Sequence, residues 1–74
     1  MTAVLAPPDQ IRRYALVELL LVRVLDLAPA DAPAEAAALQ HAVSERLLDR
    51  IDALLGRPEE DLWGRRIPRP NGSQ

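Results

Sequence analysis

The sequence predicts an all-α protein: an antiparallel hairpin of two long helices and a short third helix, which dimerises into a four-helix bundle. The first observation is the stretch Tyr14–Ala28, in which twelve of fifteen residues are apolar. The second is the turn that follows, where Pro29 ends one helix and Pro33 begins the next. The third is a 74-residue chain with no cysteine and one histidine. Small folds need a staple; a disulfide is excluded and a structural zinc site is disfavoured, which leaves self-association.

The first helix is predicted over Pro8–Leu27. Asp9 lies in its first turn, where an acid complements the helix dipole. Apolar residues surround most of its circumference, whereas a surface helix needs only one apolar stripe. Because one partner helix covers one side only, the remaining surface calls for a second copy, or alternatively for a different protein. The predicted self-association residues are Tyr14, Val17, Leu20, Leu21 and Val24.

The second helix is predicted over Pro33–Leu55, with Gly56 as a left-handed terminator. Its opposite face is charged and typical of a solvated helix surface. This helix can therefore cover one side of the first helix, and two such hairpins predict a homodimeric four-helix bundle. Its apolar face consists of residues that recur every four positions: Leu39, Val43, Leu47, Ile51 and Leu55.

The segment after Gly56 predicts a short third helix over Glu59–Trp63, with acids in its first turn and Gly64 as its end. The hairpin leaves Leu62 and Trp63 without a place in its core. Trp63 either caps the end of the bundle or anchors a partner, since Trp and Arg are enriched in binding hot spots. The predicted partner-binding residues are Leu62, Trp63, Arg65 and Arg66.

The chain is predicted to divide into three parts: a flexible N-terminus (1–7), a helical domain (8–64) and a disordered basic tail (65–74). Eleven acids and six arginines give residues 1–64 a net charge of −5, whereas three arginines give residues 65–74 a net charge of +3. Three arginines on a net-acidic chain are a weak signal for phosphate contact. A nucleic-acid partner is therefore disfavoured.

The apolar stretch is too often interrupted to cross a membrane. Its longest uncharged run is four residues, Leu19–Val22, against the ~20 apolar residues that a span requires. The N-terminus MTAVLAPP lacks the basic region and the long apolar run of a secretion signal. The sequence therefore predicts a soluble cytoplasmic protein that makes no membrane contact.

No arrangement of residues predicts catalysis, a metal site or a cofactor. Glu18 lies among apolar residues, where burial could raise its pKa and give it a role. The preferred interpretation is that Glu18 lies at the margin of the bundle or pairs with a partner's arginine. His41 could sense pH or bind a metal, but a solvated surface histidine is preferred. With no nucleophile–base pair, metal cluster or phosphate loop, we predict that the chain is not an enzyme.

The segment DLAPADAPAEAAALQHAVSERLLDRIDALL lies between Val24 and Leu55 and resembles the helical docking segments at the C-termini of modular polyketide synthase subunits. It is similar to them in its leucine-rich helix, its Pro/Asp/Ala turn and its Arg/Leu-rich second helix. The resemblance covers under half of the chain. It implies an intertwined dimeric bundle and a further short helix that engages the next subunit.

The sequence as a whole favours a non-enzymatic protein–protein interaction module, either a dimerisation or docking segment or a small accessory subunit of a larger assembly. The alternative is a small regulatory protein that contacts nucleic acid or the transcription machinery through its Arg-rich tail. Salt dependence separates the two, because phosphate contacts weaken steeply with salt and apolar docking does not.

Overall fold

A computed structural model describes residues 8–69. Helices account for most of them, and no strand occurs in this part of the chain beyond one isolated bridge between Glu60 and Arg66. The prediction of an all-α protein is therefore confirmed for the described residues, whereas residues 1–7 and 70–74 of the predicted N-terminus and tail lie outside them. The elements are α1 (Pro8–Leu19), a π-helical turn (Leu20–Val24), α2 (Ala32–Leu39), a 3₁₀ turn (Gln40–Ala42) and α3 (Glu45–Leu54).

The first predicted helix forms as α1 and its π-helical extension, and it ends at Val24 rather than at Leu27. In the extension Leu25 N donates to Leu20 O at 3.1 Å, the wider spacing of a π turn. Asp26 then adopts a left-handed conformation with φ 61°, which aspartate tolerates better than most residues and which ends the helix.

Helix α1 lies at the centre of the domain. Five successive residues, Ala15–Leu19, are buried, which spans more than one full turn of helix. Helices α2 and α3 both pack against α1, and Ile67 from the C-terminal segment joins the same core. Much of the apolar circumference of this helix is therefore covered within one chain.

The prediction of one continuous second helix over Pro33–Leu55 is wrong. The chain leaves the helical conformation at Val43, whose ψ is 121°, and Ser44 begins a new helix. The Ser44 hydroxyl accepts a hydrogen bond from Leu47 N at 3.1 Å, the geometry of an N-cap. A serine that bonds the backbone in this way offers it an alternative to continuing a helix.

This break changes which leucines of the predicted apolar row are buried. Val43 and Ile51 are buried as predicted, but Leu39 and Leu47 are exposed. Leu48 takes the core position instead, because α3 starts with a new rotational phase after the break. The predicted terminator is confirmed: α3 ends before Gly56, which has φ 81°.

The prediction of a short third helix over Glu59–Trp63 is wrong as well. Residues 57–69 form a folded loop in which Ile67 N donates to Glu59 O and Asp61 N donates to Arg65 O, both at 2.8 Å. Ile67 is buried in the core, so the predicted disordered tail includes at least one residue that belongs to the domain. None of the described helices is long and apolar enough to cross a membrane.

Candidate functional site

A cluster of exposed apolar side chains lies at the end of the π-helical turn. Val24 is 48% exposed, Leu25 is 60% exposed, and Leu20 is half-buried. Residues four apart lie on nearly the same face of a helix, so Leu20 and Val24 are neighbours. We call Leu20, Val24 and Leu25 the 20–25 surface. Clustered exposed apolar side chains on a small protein are typical of an interface.

The structure separates the five predicted self-association residues into two groups. Val17 and Leu21 are buried within the chain itself, and Tyr14 is half-buried. Leu20 and Val24 keep exposed area and belong to the 20–25 surface. Sequence reasoning misses Leu25, because its exposure depends on the helix ending at Val24 rather than at Leu27.

A second pair of exposed leucines lies on α3. Leu47 and Leu54 are seven residues apart and therefore share one face of this helix. Leu54 is 64% exposed, close to the value for Leu25. Sequence reasoning places Leu47 in the core, and the capping serine at position 44 is the signal that would have corrected it.

Three consecutive side chains of α1 tie this helix to the rest of the domain, and Arg12 is the first. Its side chain is buried and contacts the carboxylates of Asp52 at 3.3 Å and Asp49 at 3.5 Å, both on α3. Arg57 also contacts Asp52, at 3.2 Å. Of these pairs only Arg12–Asp52 is largely buried on both sides, and removing one partner of a buried pair costs roughly 3–5 kcal/mol, so this pair fixes α3 on α1.

Arg13 supplies hydrogen bonds at the break between α2 and α3. It donates to the backbone carbonyls of Gln40, at 3.0 Å, and Val43, and it forms an ion pair with Glu45. Carbonyls at the end of a helix lack partners within the helix, and a guanidinium with five N–H donors can satisfy several of them. The arginine therefore stabilises the interruption that divides the predicted second helix.

Tyr14 makes the third connection, because its hydroxyl donates to the Pro33 carbonyl at 3.3 Å, at the start of α2. Burial, followed by the charge of Glu18, raises the pKa of Tyr14 above its usual value. The hydroxyl therefore keeps its proton and stays a donor at neutral pH. We call the contacts of Arg12, Arg13 and Tyr14 the α1 cross-links.

Glu18 lies in the interior rather than at the margin of the domain. It is 1% exposed, and both of its carboxylate oxygens are buried without a hydrogen-bond partner among the described residues. Burial raises the pKa of Glu18, and the nearby charge of Asp61 raises it further, whereas Arg65 opposes the change. A buried carboxyl without a partner favours its neutral form.

Asp61 organises the loop that lies near Glu18. Its carboxylate accepts hydrogen bonds from Trp63 N at 2.8 Å, Arg65 N at 2.9 Å and Arg65 Nε at 2.9 Å. Although burial acts in the opposite direction, these hydrogen bonds lower the pKa of Asp61. Asp61 and Arg65 also line a surface pocket of about 630 Å³, together with Tyr14 and His41.

The four predicted partner-binding residues differ in how they are placed. Trp63 and Arg66 are exposed, Leu62 packs against the core, and Arg65 is ion-paired with Asp61. The structure thus leaves Trp63 and Arg66 free to meet solvent. Partner binding through these residues stays a prediction.

The model of one protein family, described as "Iron dependent repressor, metal binding and dimerisation domain", matches residues 9–69. This chain belongs to that family. A solved manganese-dependent transcriptional repressor in complex with manganese is 42% identical, with a TM-score of 0.82, and the match covers 89% of this chain and 31% of that one. A second manganese-dependent transcriptional repressor, also 42% identical, has a TM-score of 0.81 and is covered over 36% of its length. A search of curated protein sequences finds no match.

These matches overturn the resemblance to polyketide synthase docking segments, which is wrong. That resemblance rests on leucine-rich helices and a Pro/Asp/Ala turn, which are features of composition and do not identify a family. The matches confirm that the chain is not an enzyme, because the relatives are transcriptional repressors. They also support a homodimer, and they do not support the expectation that nucleic acid is a disfavoured partner.

The chain spans about a third of the length of the repressor structures that it matches. The family is described as metal-binding, which raises the question of whether donor groups cluster in this chain. Within residues 8–69, no group of three or more His, Cys, Asp or Glu side chains lies close enough together to hold a metal ion.

Proposed function

We propose that this chain is the dimerisation module of a transcriptional repressor, and that two copies associate through the 20–25 surface. The observation that carries the proposal is the exposure of Val24 and Leu25 at the end of the central helix, in a chain that belongs to a family of dimerisation domains. Two copies related by a two-fold axis would bury the same patch on each partner, as symmetric dimers do.

Dimerisation would serve DNA recognition by the repressor as a whole. Dimeric repressors bind two half-sites about one helical turn apart, so a rigid dimer sets the distance between the DNA-binding units. This part of the proposal rests on the relatives, which are transcriptional repressors and are about three times as long as the matched region. A repressor must reach DNA inside the cell. We therefore include the cytoplasmic location that the sequence predicts in this proposal.

The alternative prediction, a regulator that contacts nucleic acid through its arginine tail, is supported in its first half by the repressor relatives. Contact with nucleic acid through the arginine tail is less well supported, because the guanidinium of Arg65 is already paired with Asp61. The described residues 8–69 carry eleven acids and nine arginines, a net charge of −2, which does not favour phosphate contact by the module. We therefore assign pairing of subunits, rather than DNA contact, to the described residues.

A matched pair of leucine variants tests the proposed interface. Leu25→Asp places a charge in the 20–25 surface, and Leu54→Asp places the same charge on α3 at a leucine of nearly equal exposure, 60% against 64%. We expect Leu25→Asp to dissociate the dimer, because an unpaired charge in an interface core is strongly unfavourable. Leu54→Asp should leave the mass in sedimentation equilibrium unchanged. Dissociation by Leu54→Asp alone would move the interface to α3.

A further inference from the structure

The family is described as metal-binding, and one related repressor structure contains manganese, so the residues of this chain can be compared with the donors that such a metal requires. Manganese and iron are held in proteins mainly by imidazole and carboxylate groups. The whole sequence has no cysteine and one histidine, His41, which is exposed on the 3₁₀ turn. A site built on this chain would therefore depend almost entirely on carboxylates that lie close together.

Asp61, which lines the same pocket as His41 and lies near Glu18, is poorly suited to such a site. His41 and Asp61 line the same pocket, but Asp61 already accepts three N–H hydrogen bonds. The guanidinium of Arg65 lies against Asp61 and would repel a cation there.

Glu18 is the remaining candidate, because both of its oxygens lack a partner among the described residues. A hard divalent cation takes about six oxygen ligands. The groups around Glu18 are instead a phenol, an indole, a guanidinium and the occupied carboxylate of Asp61. Metal binding also requires the ionised carboxylate, and burial favours the protonated form of Glu18. The donor set of the described residues therefore does not fit manganese or iron.

The α1 cross-links join segments of the domain that are distant in the sequence. A bound metal stabilises a small domain by joining segments that are distant in the sequence. Here Arg12 joins α1 to α3, Arg13 joins it to the break between α2 and α3, and Tyr14 joins it to the start of α2. Three adjacent side chains thus connect the central helix to every other helical segment that follows the turn.

We infer that the described residues do not form a manganese or iron site, and that the α1 cross-links hold the helices together with no metal bound. The inference concerns the fold of residues 8–69 and does not rest on the proposed dimer interface. Residues 8–69 keep the architecture of the domain, but they do not bring together a set of donors for the ion.

Thermal unfolding of the complete chain, freed of metal with a chelator and then titrated with Mn²⁺ or with Fe²⁺ under anaerobic conditions, tests the inference. A ligand at about a hundred times its dissociation constant raises Tm by ~10 °C or more in a domain of this size. We expect no change in Tm with either metal, and the same Tm in the chelator. A saturable rise in Tm would overturn the inference, and its loss in Glu18→Gln would place the ion at the buried carboxylate.

Two variants test the role of the cross-links in the same experiment. Arg13→Met keeps the length of the side chain and removes its donors, and Tyr14→Phe keeps the ring and removes only the hydroxyl. We expect both to lower Tm equally with and without metal, and Arg13→Met to have the larger effect because it loses three contacts. A parental Tm in both variants would contradict the inference. The mass of the unaltered chain is a separate measurement. If this chain is a monomer and its Tm does not respond to metal, the result counts against the proposed dimer and not against this inference.

Discussion

At the scale of single residues, two neighbouring carboxyl groups have opposite environments. Glu18 is buried without a hydrogen-bond partner among the described residues and has a raised pKa, whereas Asp61 accepts three N–H donors and has a lowered pKa. The folded protein therefore binds a proton at Glu18 more tightly than the unfolded chain does, and binds one at Asp61 less tightly. The two groups thus contribute to the pH dependence of stability with opposite signs.

Glu18→Gln should change the pH dependence of stability in a defined direction. In the parent, the free energy of unfolding falls as pH rises from the usual glutamate pKa of 4.5 through the raised folded value, because the proton is lost from a buried group. Glutamine carries no charge at any pH. We therefore expect the variant to be at least as stable as the parent at neutral pH in urea unfolding, with this advantage shrinking as the pH falls from the raised folded value towards 4.5 and absent below it.

Glu35→Gln is the matched control, because Glu35 is exposed on α2 and the substitution changes the net charge equally. It should leave the pH profile close to that of the parent. If Glu18→Gln instead destabilises the protein at neutral pH while Glu35→Gln does not, Glu18 is ionised and paired in the folded state.

The sequence singles out Glu18 and His41 as titratable residues of interest. The predicted environment is correct for His41 and wrong for Glu18. His41 is exposed, as its polar surroundings indicate. Glu18 is buried because α2, α3 and the 57–69 loop together enclose α1, and a single helix pattern does not contain that information.

At the scale of elements, hydrophobic periodicity locates the helices but not the places where they are interrupted. The row Leu39, Val43, Leu47, Ile51 and Leu55 has the spacing of one continuous helix, yet the chain extends at Val43 and restarts at Ser44. One capping hydroxyl and the carbonyl contacts of Arg13 suffice to stabilise the break. The partner of those carbonyls is about thirty residues away in the sequence, which explains why local pattern reasoning does not reveal it.

The loop 57–69 fails as a predicted helix for a related reason. Its proline, its acids and its glycine are the signals of a helix start and stop. The side chain of Asp61 instead binds the backbone N–H groups of Trp63 and Arg65, which is how aspartate stabilises turns. A short helix and a folded loop can both be built from these residue types. The burial of Ile67 in the core favours the loop.

Ser44→Ala should weaken the protein through its third helix. The substitution removes the hydroxyl that accepts from Leu47 N, and loss of a serine N-cap costs about 1 kcal/mol. Chemical denaturation should show that decrease in the free energy of unfolding with an unchanged denaturant dependence. Ser44→Asp, which can accept the same hydrogen bond, should retain most of the stability. Equal losses in both variants would mean that the cap contributes nothing to the break.

At the scale of the whole molecule, the dimerisation that the sequence predicts is supported, but the exposed surface differs from the one that the sequence indicates. The first helix is apolar around most of its circumference, as the sequence indicates, but most of that surface is covered within one chain. What remains exposed is its C-terminal end, at Val24 and Leu25. The repressor relatives supply the functional context, which composition and periodicity do not contain.

Sedimentation equilibrium in the presence of a chelator decides whether this domain pairs with a second copy of itself without a metal. We expect a mass of twice 8.2 kDa for the unaltered chain at micromolar concentration, and the same mass after addition of Mn²⁺. A mass of 8.2 kDa under both conditions would contradict the pairing of two copies. A dimer that forms only with Mn²⁺ would contradict its independence from metal.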